Sequence, residues 1–287
     1  MSDDIGALYS AINAGQPSHD ELLADGRCSV AAAHPTLNRY SDCWPLDTHL
    51  ADTGGAGYLN ATLVRPHAAA PPYIMAAGPM APEWHGPETR PALWSAVWHH
   101  GVRVIVALAV PAGGFQGCAD YATTATHGDI SVECLDVSNP GGEPVIRSGR
   151  TVGSSGGGLA FERKLRLTRG DETRECTQIE FQKWPNYGVA SSSSVAFLIE
   201  RVDLLRRAAA EPSEPPLLVH CAGGVGRTGA FVTAHSLRCE ERQSGVASTA
   251  AALATRVREL RAARHPYVVE TAAQLRLVVE TLAELRR

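Results

Sequence analysis

A cysteine and an arginine, Cys221 and Arg227, flank the glycine-rich run Ala222–Gly226. The apolar segment Leu217–His220 precedes this run and a helix-like apolar pattern follows it, so the sequence predicts a strand, a tight turn and a helix. Successive backbone N–H groups of such a turn point into a concavity at the helix N-terminus, which binds phosphate-sized anions. The spacing therefore predicts an oxyanion site with a cysteine at its mouth.

The residue types around this turn suit covalent catalysis. Cys221 is a candidate nucleophile, because donors that hold an oxyanion also lower the pKa of a thiol. The planar guanidinium of Arg227 can bind two phosphoryl oxygens, and the Thr228 hydroxyl can donate to the sulfur. The alternative is a tight glycine turn with a buried cysteine, but the position between a strand and a helix favours the anion site. The residues expected to form it are Ala222, Gly223, Gly224, Val225 and Gly226.

Composition and charge exclude several classes of protein. The 287 residues carry a net charge of −4, with 44% hydrophobic and 20% charged residues, which is ordinary for a globular protein. This balance predicts neither a nucleic-acid nor a membrane partner. The N-terminus lacks the apolar segment of a Sec signal, and no apolar run approaches the length of a membrane span. Seven irregularly spaced cysteines predict free thiols in a reducing compartment. The lack of export and membrane signals predicts a cytoplasmic protein, and we also expect a monomer.

The elements along the chain predict a single α/β domain. The β-branched run Val102–Val110 is typical of a strand covered on both faces, and alternation at Leu159–Leu167 and Thr177–Phe181 indicates an antiparallel section. We expect a twisted mixed β-sheet flanked by helices on both faces, with the catalytic loop between a buried strand and a helix N-terminus. Helices are predicted from Pro91 and over Ser192–Ala209, Phe231–Arg242, Ala247–Arg264 and Thr271–Arg287.

The domain division expected from these patterns is an N-terminal arm or short helix over residues 1–30 and a catalytic domain over residues 31–287. The stretch 138–158 is predicted to be a loop between strands. The arginine-heavy, alanine-rich composition and the short N-terminal segment would suit a bacterial protein, and delivery into a host cell by a non-Sec route is a further hypothesis.

The segment His220–Gly229, HCAGGVGRTG, resembles the signature His-Cys-x5-Arg-Ser/Thr-Gly of the protein tyrosine phosphatases. The resemblance covers roughly residues 35–285 and implies a phosphatase II-like fold. It also implies hydrolysis of phosphotyrosine in a protein or peptide partner through a phosphocysteine intermediate, without a metal or organic cofactor. Further motifs that resemble the family, in its order, are Asn38–Asp42, Tyr58–Ala61, Gly78–Met80, Trp94–Val106, Trp184–Val189 and Thr271–Leu275.

The resemblance assigns roles to residues outside the loop. Tyr40 and Tyr187 would line a deep slot for the phosphotyrosyl ring, and Asp42 would accept hydrogen bonds from the substrate backbone. A core tyrosine and a turn-forming aspartate are the alternatives for Tyr40 and Asp42. Gln274 would position the water that hydrolyses the intermediate, although Thr271 and Gln274 also fit a helix capping box.

Three positions depart from the family pattern. Asn186 replaces the aspartate that protonates the leaving group, and an amide cannot supply that proton. Glu270 replaces a second-step glutamine, and Ala112 aligns with a glutamate that braces the arginine. Since loss of a general acid slows a reaction roughly 10²–10⁴-fold, two hypotheses stay open. One is a slow phosphatase in which Glu270 or another carboxylate partly replaces the acid, and the other is a catalytically weak phosphotyrosine-binding module that traps substrate.

Overall fold

The computed structural model describes residues 4–84, 86–111, 117–140, 146–147, 150–151, 160–185, 188–209 and 214–287. The helices of this part of the chain are α1 (Ile5–Asn13), α2 (His19–Ala24), α3 (Ser29–Ala32), α4 (Arg90–His99), α5 (Ser192–Ala208), α6 (Gly226–Ser244), α7 (Ala250–Ala263) and α8 (Ala272–Leu285). The strands are β1 (Ala61–Val64), β2 (Tyr73–Ala77), β3 (Val104–Ala107), β4 (Ala125–His127), β5 (Ile130–Ser138), β6 (Ile146–Arg147), β7 (Arg150–Thr151), β8 (Ala160–Arg169), β9 (Glu172–Phe181) and β10 (Leu217–Cys221).

An eight-stranded sheet in the order β1-β2-β10-β3-β9-β8-β5-β4 organises the described residues, and β6 pairs with β7 separately. The central strands β2, β10, β3 and β9 are parallel, whereas β1, β8, β5 and β4 pair antiparallel to their neighbours. Every residue of β3 and β10 is buried, as expected for apolar strands covered on both faces. Strand β10 therefore lies inside the sheet and carries Cys221 at its carboxyl end.

Helices cover both faces of this sheet. Along β10, Val219 points into a core shared with α5, α6, α7 and α8, while Leu218 points into a second core shared with α4. The alternation follows from the two-residue period of a strand. The predicted twisted mixed sheet with helices on both faces is confirmed.

The helix boundaries follow local capping chemistry. The hydroxyl of Ser191 accepts from the Ser194 N–H at the start of α5. Helix α6 ends at Gly245, whose φ of 71° is the left-handed conformation that glycine adopts readily. This helix begins at Gly226, five residues before the predicted Phe231, because the end of the glycine loop already forms its first turn.

The N-terminal segment, predicted to be an arm or a short helix, is helical in part. It contains α1 and α2, and α1 contacts α7 and α8. Ile5 and Ile12 of α1 are buried in the main core. A domain boundary near residue 30 stays a prediction. Most of the predicted loop 138–158 lies outside the described residues. Among the described helices, none combines the length and apolar character that a membrane span requires.

Candidate active site

The loop after β10 is shaped by glycine. Gly224 has a φ of 71°, and a Cβ at this position would lie 2.7 Å from the backbone nitrogen of Ala77 and would also overlap the Ala76 carbonyl. Only a residue without a side chain fits this approach to β2. The Gly78 N–H donates to the carbonyl oxygen of Ala222 over 3.0 Å, which fixes the beginning of the loop.

Cys221 lies at the base of this loop with only 3% of its surface exposed. Burial alone would raise its pKa, but Arg227, the hydroxyl and backbone of Thr228 and the N–H of Gly224 lower it below the usual value of a thiol. The Gly224 N–H donates to the sulfur over 3.2 Å. The Thr228 hydroxyl is not aligned as a full hydrogen bond and has no partner among the described residues. The lowered pKa increases the fraction of thiolate, the form of cysteine that acts as a nucleophile.

Arg227 is buried beside the loop and connects three parts of the site. Its Nη1 donates to the carbonyl oxygens of Leu108, just after β3, over 3.0 Å and of Trp184 over 3.2 Å. Trp184 begins the segment that contains Asn186. The guanidinium therefore ties Trp184 and Leu108 to the phosphate-binding loop.

A cavity of about 90 Å³ opens above the sulfur and brings together most of the predicted site residues. Ala222 and Gly224 shape the loop from behind and do not line this cavity. Asn186, Tyr187 and Ala112 lie outside the described residues. The lining residues are Tyr40, Asp42, Cys43, Cys221, Gly223, Val225, Gly226, Arg227, Tyr267, Glu270 and Gln274.

The ring of Tyr40 forms one wall of the cavity. A Cβ at Gly223 would lie 3.3 Å from two carbons of this ring, so glycine is what allows their close approach. The carbonyl oxygen of Tyr40 accepts from Trp44 Nε1 over 2.9 Å. Asp42 is exposed at the mouth, where its carboxylate can meet a bound molecule. These placements agree with the roles that the sequence predicts for Tyr40 and Asp42, which stay predictions.

Gln274 and Glu270 also line the cavity. The Thr271 hydroxyl accepts from the Gln274 N–H over 3.1 Å, so the helix cap exists. The Gln274 side chain, however, accepts from the backbone N–H of Glu270 over 2.8 Å. The reciprocal bond of a capping box, from the Thr271 N–H to the Gln274 side chain, is thus replaced by a bond from the Glu270 N–H. This bond holds the Gln274 side chain at the cavity. Burial and Asp42 raise the pKa of Glu270, and Arg227 opposes this rise.

His220 supports the loop from behind. It is fully buried, with Nδ1 3.3 Å from the Cys221 carbonyl oxygen and Nε2 2.5 Å from the Tyr121 hydroxyl. Burial, with help from Arg227, lowers its pKa to about 4, so the ring is neutral near pH 7. Tyr121 could not be recognised as a partner of His220 from the sequence, because 99 residues separate the two.

Arg264 is a further support that sequence reasoning missed. It is fully buried and donates to the carbonyl oxygens of Gly223 and Gly224, each over 3.3 Å. It also donates to Asn60 Oδ1 over 2.5 Å. Asn60 in turn donates to Asn38 Oδ1 over 2.8 Å, in the segment that leads to Tyr40. Arg264 directly follows α7, a helix that already contains Arg256, Arg258 and Arg261, so nothing in the sequence distinguished it.

One cluster among the described residues has ligand atoms close enough to hold a metal ion, and it consists of Asp203, His235 and Cys239. Both nitrogens of His235 are engaged, Nδ1 with the Tyr73 hydroxyl over 2.6 Å and Nε2 with Asp203 over 3.0 Å. Asp203 also pairs with Arg242. These contacts indicate a buried polar network that bridges α5 and α6.

Comparison with known proteins decides the family. The family model described as Protein-tyrosine phosphatase matches residues 34–284. The chain belongs to the protein-tyrosine phosphatase family. The resemblance inferred from the sequence motifs is therefore confirmed.

Individual relatives cover the chain to different extents. Tyrosine-protein phosphatase non-receptor type 9 of Rattus norvegicus is 29% identical over 223 residues, which are 71% of this chain and 35% of that protein. Tyrosine-protein phosphatase non-receptor type 18 of Homo sapiens is 28% identical over 297 residues, or 98% of this chain and 59% of that protein. The chain thus spans between 35% and 59% of the length of these relatives. Bacterial origin stays a prediction.

A solved structure supports the fold. The structure of PTPN18 in complex with HER2-pY1196 phosphor-peptides aligns with a TM-score of 0.74 and 23% identity, and covers 98% of this chain and 92% of that one. The phosphatase fold expected from the motifs is therefore confirmed.

Proposed function

We propose that this protein hydrolyses phosphotyrosine in proteins through a phosphocysteine intermediate on Cys221. The observation that carries the proposal is a buried thiol of lowered pKa, 3.2 Å from a loop N–H and close to a buried arginine. This combination places the nucleophile inside an anion-binding loop, which suits transfer of a phosphoryl group. Membership of the protein-tyrosine phosphatase family supports it.

The reaction has two steps. The Cys221 thiolate attacks phosphorus, the P–S bond forms and the tyrosyl P–O bond breaks while Arg227 and the loop N–H groups bind the phosphoryl oxygens. Water then attacks phosphorus, the P–S bond breaks and phosphate leaves. Thr228 stabilises the departing thiolate, and Gln274 binds the attacking water. Asn186 at the usual acid position leaves the phenolate unprotonated in the first step, which slows release of poor leaving groups.

Substrate recognition rests on the cavity above the sulfur. Tyr40, together with Tyr187, stacks against the phosphotyrosyl ring, an interaction that contributes about 0.5–1.5 kcal/mol beyond burial. Asp42 accepts hydrogen bonds from the substrate backbone at the mouth. The similarity to PTPN18, solved with phosphopeptides, supports a phosphotyrosine-containing protein or peptide as the partner.

Aryl phosphates with leaving groups of different pKa test the activity. A phosphatase without its general acid should hydrolyse good leaving groups well and poor ones slowly. Cys221→Ser should abolish hydrolysis, and Cys239→Ser, at a half-buried thiol outside the cavity, is the matched control. Equal hydrolysis by the Cys221→Ser variant would overturn the assignment of the nucleophile.

The alternative is a module that binds phosphotyrosine and releases it slowly or not at all. Asn186 favours this function, because the binding residues Cys221, Arg227, Tyr40 and Asp42 are present without the acid. Retained affinity for phosphotyrosine peptides, with no turnover of any aryl phosphate, would establish the module and exclude the enzyme.

We also infer that the protein binds neither nucleic acid nor membrane, from the net charge of −4, and that it is cytoplasmic, from the seven free cysteines. We expect it to be a monomer. Light scattering and cell fractionation test these points. Delivery into a host cell is tested by fusing residues 1–30 to a reporter, which avoids removing α1 from the core. Retention of the reporter in the producing cell would exclude that route.

A further inference from the structure

The carboxylate of Glu270 lies directly on the phosphate-binding loop. A Cβ at Gly226 would be 2.7 Å from Glu270 Oε2 and 3.0 Å from Gln274 Nε2. Both side chains therefore cover the same Cα, in the cavity that contains Cys221 and Arg227. Gln274 Oε1 already accepts from the Glu270 N–H, so the amide nitrogen of Gln274 is the group left to contact a water.

The backbone that carries Glu270 is strained and firmly held. Val269, the preceding residue, is fully buried and has a φ of 56°, which is rare for a β-branched residue. Arg261 donates to the Val269 carbonyl over 3.2 Å, and the Tyr9 hydroxyl of α1 donates to the Glu270 carbonyl. Such strain persists where the surrounding contacts fix it, and it concentrates at functional sites. The contacts hold Glu270 against Gly226.

The close approach of this segment also depends on Gly229 in α6. A Cβ at that position would lie 2.7 Å from Val268 Cγ1 and 2.8 Å from the backbone nitrogen of Val269. The helix and the segment 268–270 are therefore fitted to each other. This observation is independent of the cavity and places Glu270 by packing.

We propose that Glu270 is the general base for hydrolysis of the phosphocysteine intermediate, a role that rests on the proposed function. Its carboxylate takes a proton from the water held by Gln274. The new P–O bond forms as the P–S bond breaks, and Cys221 leaves as a thiolate. The proton on Glu270 then passes to solvent when phosphate departs.

Among the described residues that line the cavity, the other groups are unsuited to act as the base. The amide of Gln274 cannot accept a proton near neutral pH. Arg227 and Tyr267 are not bases there, and Cys221 is esterified in the intermediate. Asp42 is the other carboxylate that lines the cavity, and it lies exposed at the mouth. Glu270 is the carboxylate beside the loop.

The second step can be measured by itself. An aryl phosphate with a good leaving group makes the first step fast, so phosphoenzyme accumulates if its hydrolysis is slow. Rapid acid quenching and intact mass spectrometry follow phosphate on Cys221. The variants are Glu270→Gln, which keeps size and removes the base, and Glu270→Asp, which keeps a carboxylate. Glu280→Gln, on the exposed side of α8, is the matched control.

We expect Glu270→Gln to slow phosphoenzyme hydrolysis by about 10²–10⁴-fold while the initial burst of phenol is retained. In the native protein, protonation of Glu270 should lower the rate of phosphoenzyme hydrolysis at acidic pH. This decline should be absent in Glu270→Gln. The other titratable or charged groups that line the same cavity as Glu270 are Asp42, Arg227, Cys221, Tyr40, Cys43 and Tyr267. Glu270→Asp should fall between the native protein and Glu270→Gln.

The role of Glu270 would be overturned if Glu270→Gln and Glu280→Gln hydrolysed the phosphoenzyme at equal rates, with the decline in rate at acidic pH still present in both. That result would leave the proposed function unaffected. If the native protein forms no phosphocysteine, the proposed function fails, and the role of Glu270 fails with it. Retention of the phenol burst in Glu270→Gln shows that the variant is folded.

Discussion

Substitution by alanine should have different effects at two glycines of the phosphate-binding loop. At Gly224 a Cβ would lie 2.7 Å from the Ala77 nitrogen, and the backbone φ is 71°. The left-handed conformation costs an L-residue about 1–2 kcal/mol, and overpacking costs about 1–3 kcal/mol. We therefore expect Gly224→Ala to lower the free energy of unfolding by about 2–5 kcal/mol. The displaced loop should also raise the pKa of Cys221, because the Gly224 N–H donates to its sulfur.

At Gly226 a Cβ would instead meet the ends of two side chains, Glu270 and Gln274. Alanine is more favourable than glycine in a helix by about 0.5–1 kcal/mol, which offsets the movement of those side chains. We expect Gly226→Ala to keep the free energy of unfolding within about 1 kcal/mol of the native value. It should nevertheless slow hydrolysis of the phosphocysteine intermediate, since it displaces the groups that bind and deprotonate the water.

Urea unfolding and the phosphoenzyme assay together measure both effects. The expected pattern is a large loss of stability in Gly224→Ala and a selective loss of the second step in Gly226→Ala. Equal stability of the two variants would refute the packing of Gly224 against β2. Unchanged phosphoenzyme hydrolysis in Gly226→Ala would refute the placement of Glu270 and Gln274.

The remaining predictions concern the supports of the loop, acid stability and the missing acid. Arg264→Met should weaken phosphate binding and destabilise the fold by about 1–3 kcal/mol for each buried acceptor left unpaired, such as Asn60 Oδ1. Urea unfolding measures the loss of stability and phosphate titration the loss of affinity, and unchanged values of both would contradict the prediction. Burial lowers the pKa of His220 to about 4 and of His265 to about 3 from 6.5, so the unfolded state binds more protons in this range. Stability should be complete above about pH 6.5 and fall as the pH decreases toward 4, and a constant unfolding midpoint between pH 7 and pH 5 would contradict it. Asn186→Asp should raise turnover of poor leaving groups by about 10²-fold or more with little change for good ones, whereas a flat rate would show that this segment is not an acid loop.

The central part of the site was predictable because its chemistry is local in sequence. Cys221 and Arg227 lie in one turn, and the apolar segments beside them predicted the strand and the helix that hold it. Caps were equally local, as the serine at the start of α5 and Gly245 at the end of α6 show. Short-range patterns of this kind depend on backbone geometry more than on the rest of the fold.

The supports of the site were not predictable because they join distant segments. Arg264 meets Asn60 across 204 residues, and Tyr121 meets His220 across 99 residues. A single sequence holds no periodic sign of such pairs. The contact of α1 with the Glu270 segment through Tyr9 was missed for the same reason. These long-range bonds turn a local motif into a rigid site.

The most direct test of the proposed mechanism is to identify the residue that carries phosphate during turnover. The native protein is mixed with a good aryl phosphate substrate, quenched in acid within the first turnover and analysed by peptide mass spectrometry. We expect phosphate on Cys221 and an initial burst of phenol equal in amount to the enzyme. The Cys221→Ser variant should show neither the burst nor turnover. Phosphate on another residue, or undiminished turnover in Cys221→Ser, would contradict the account.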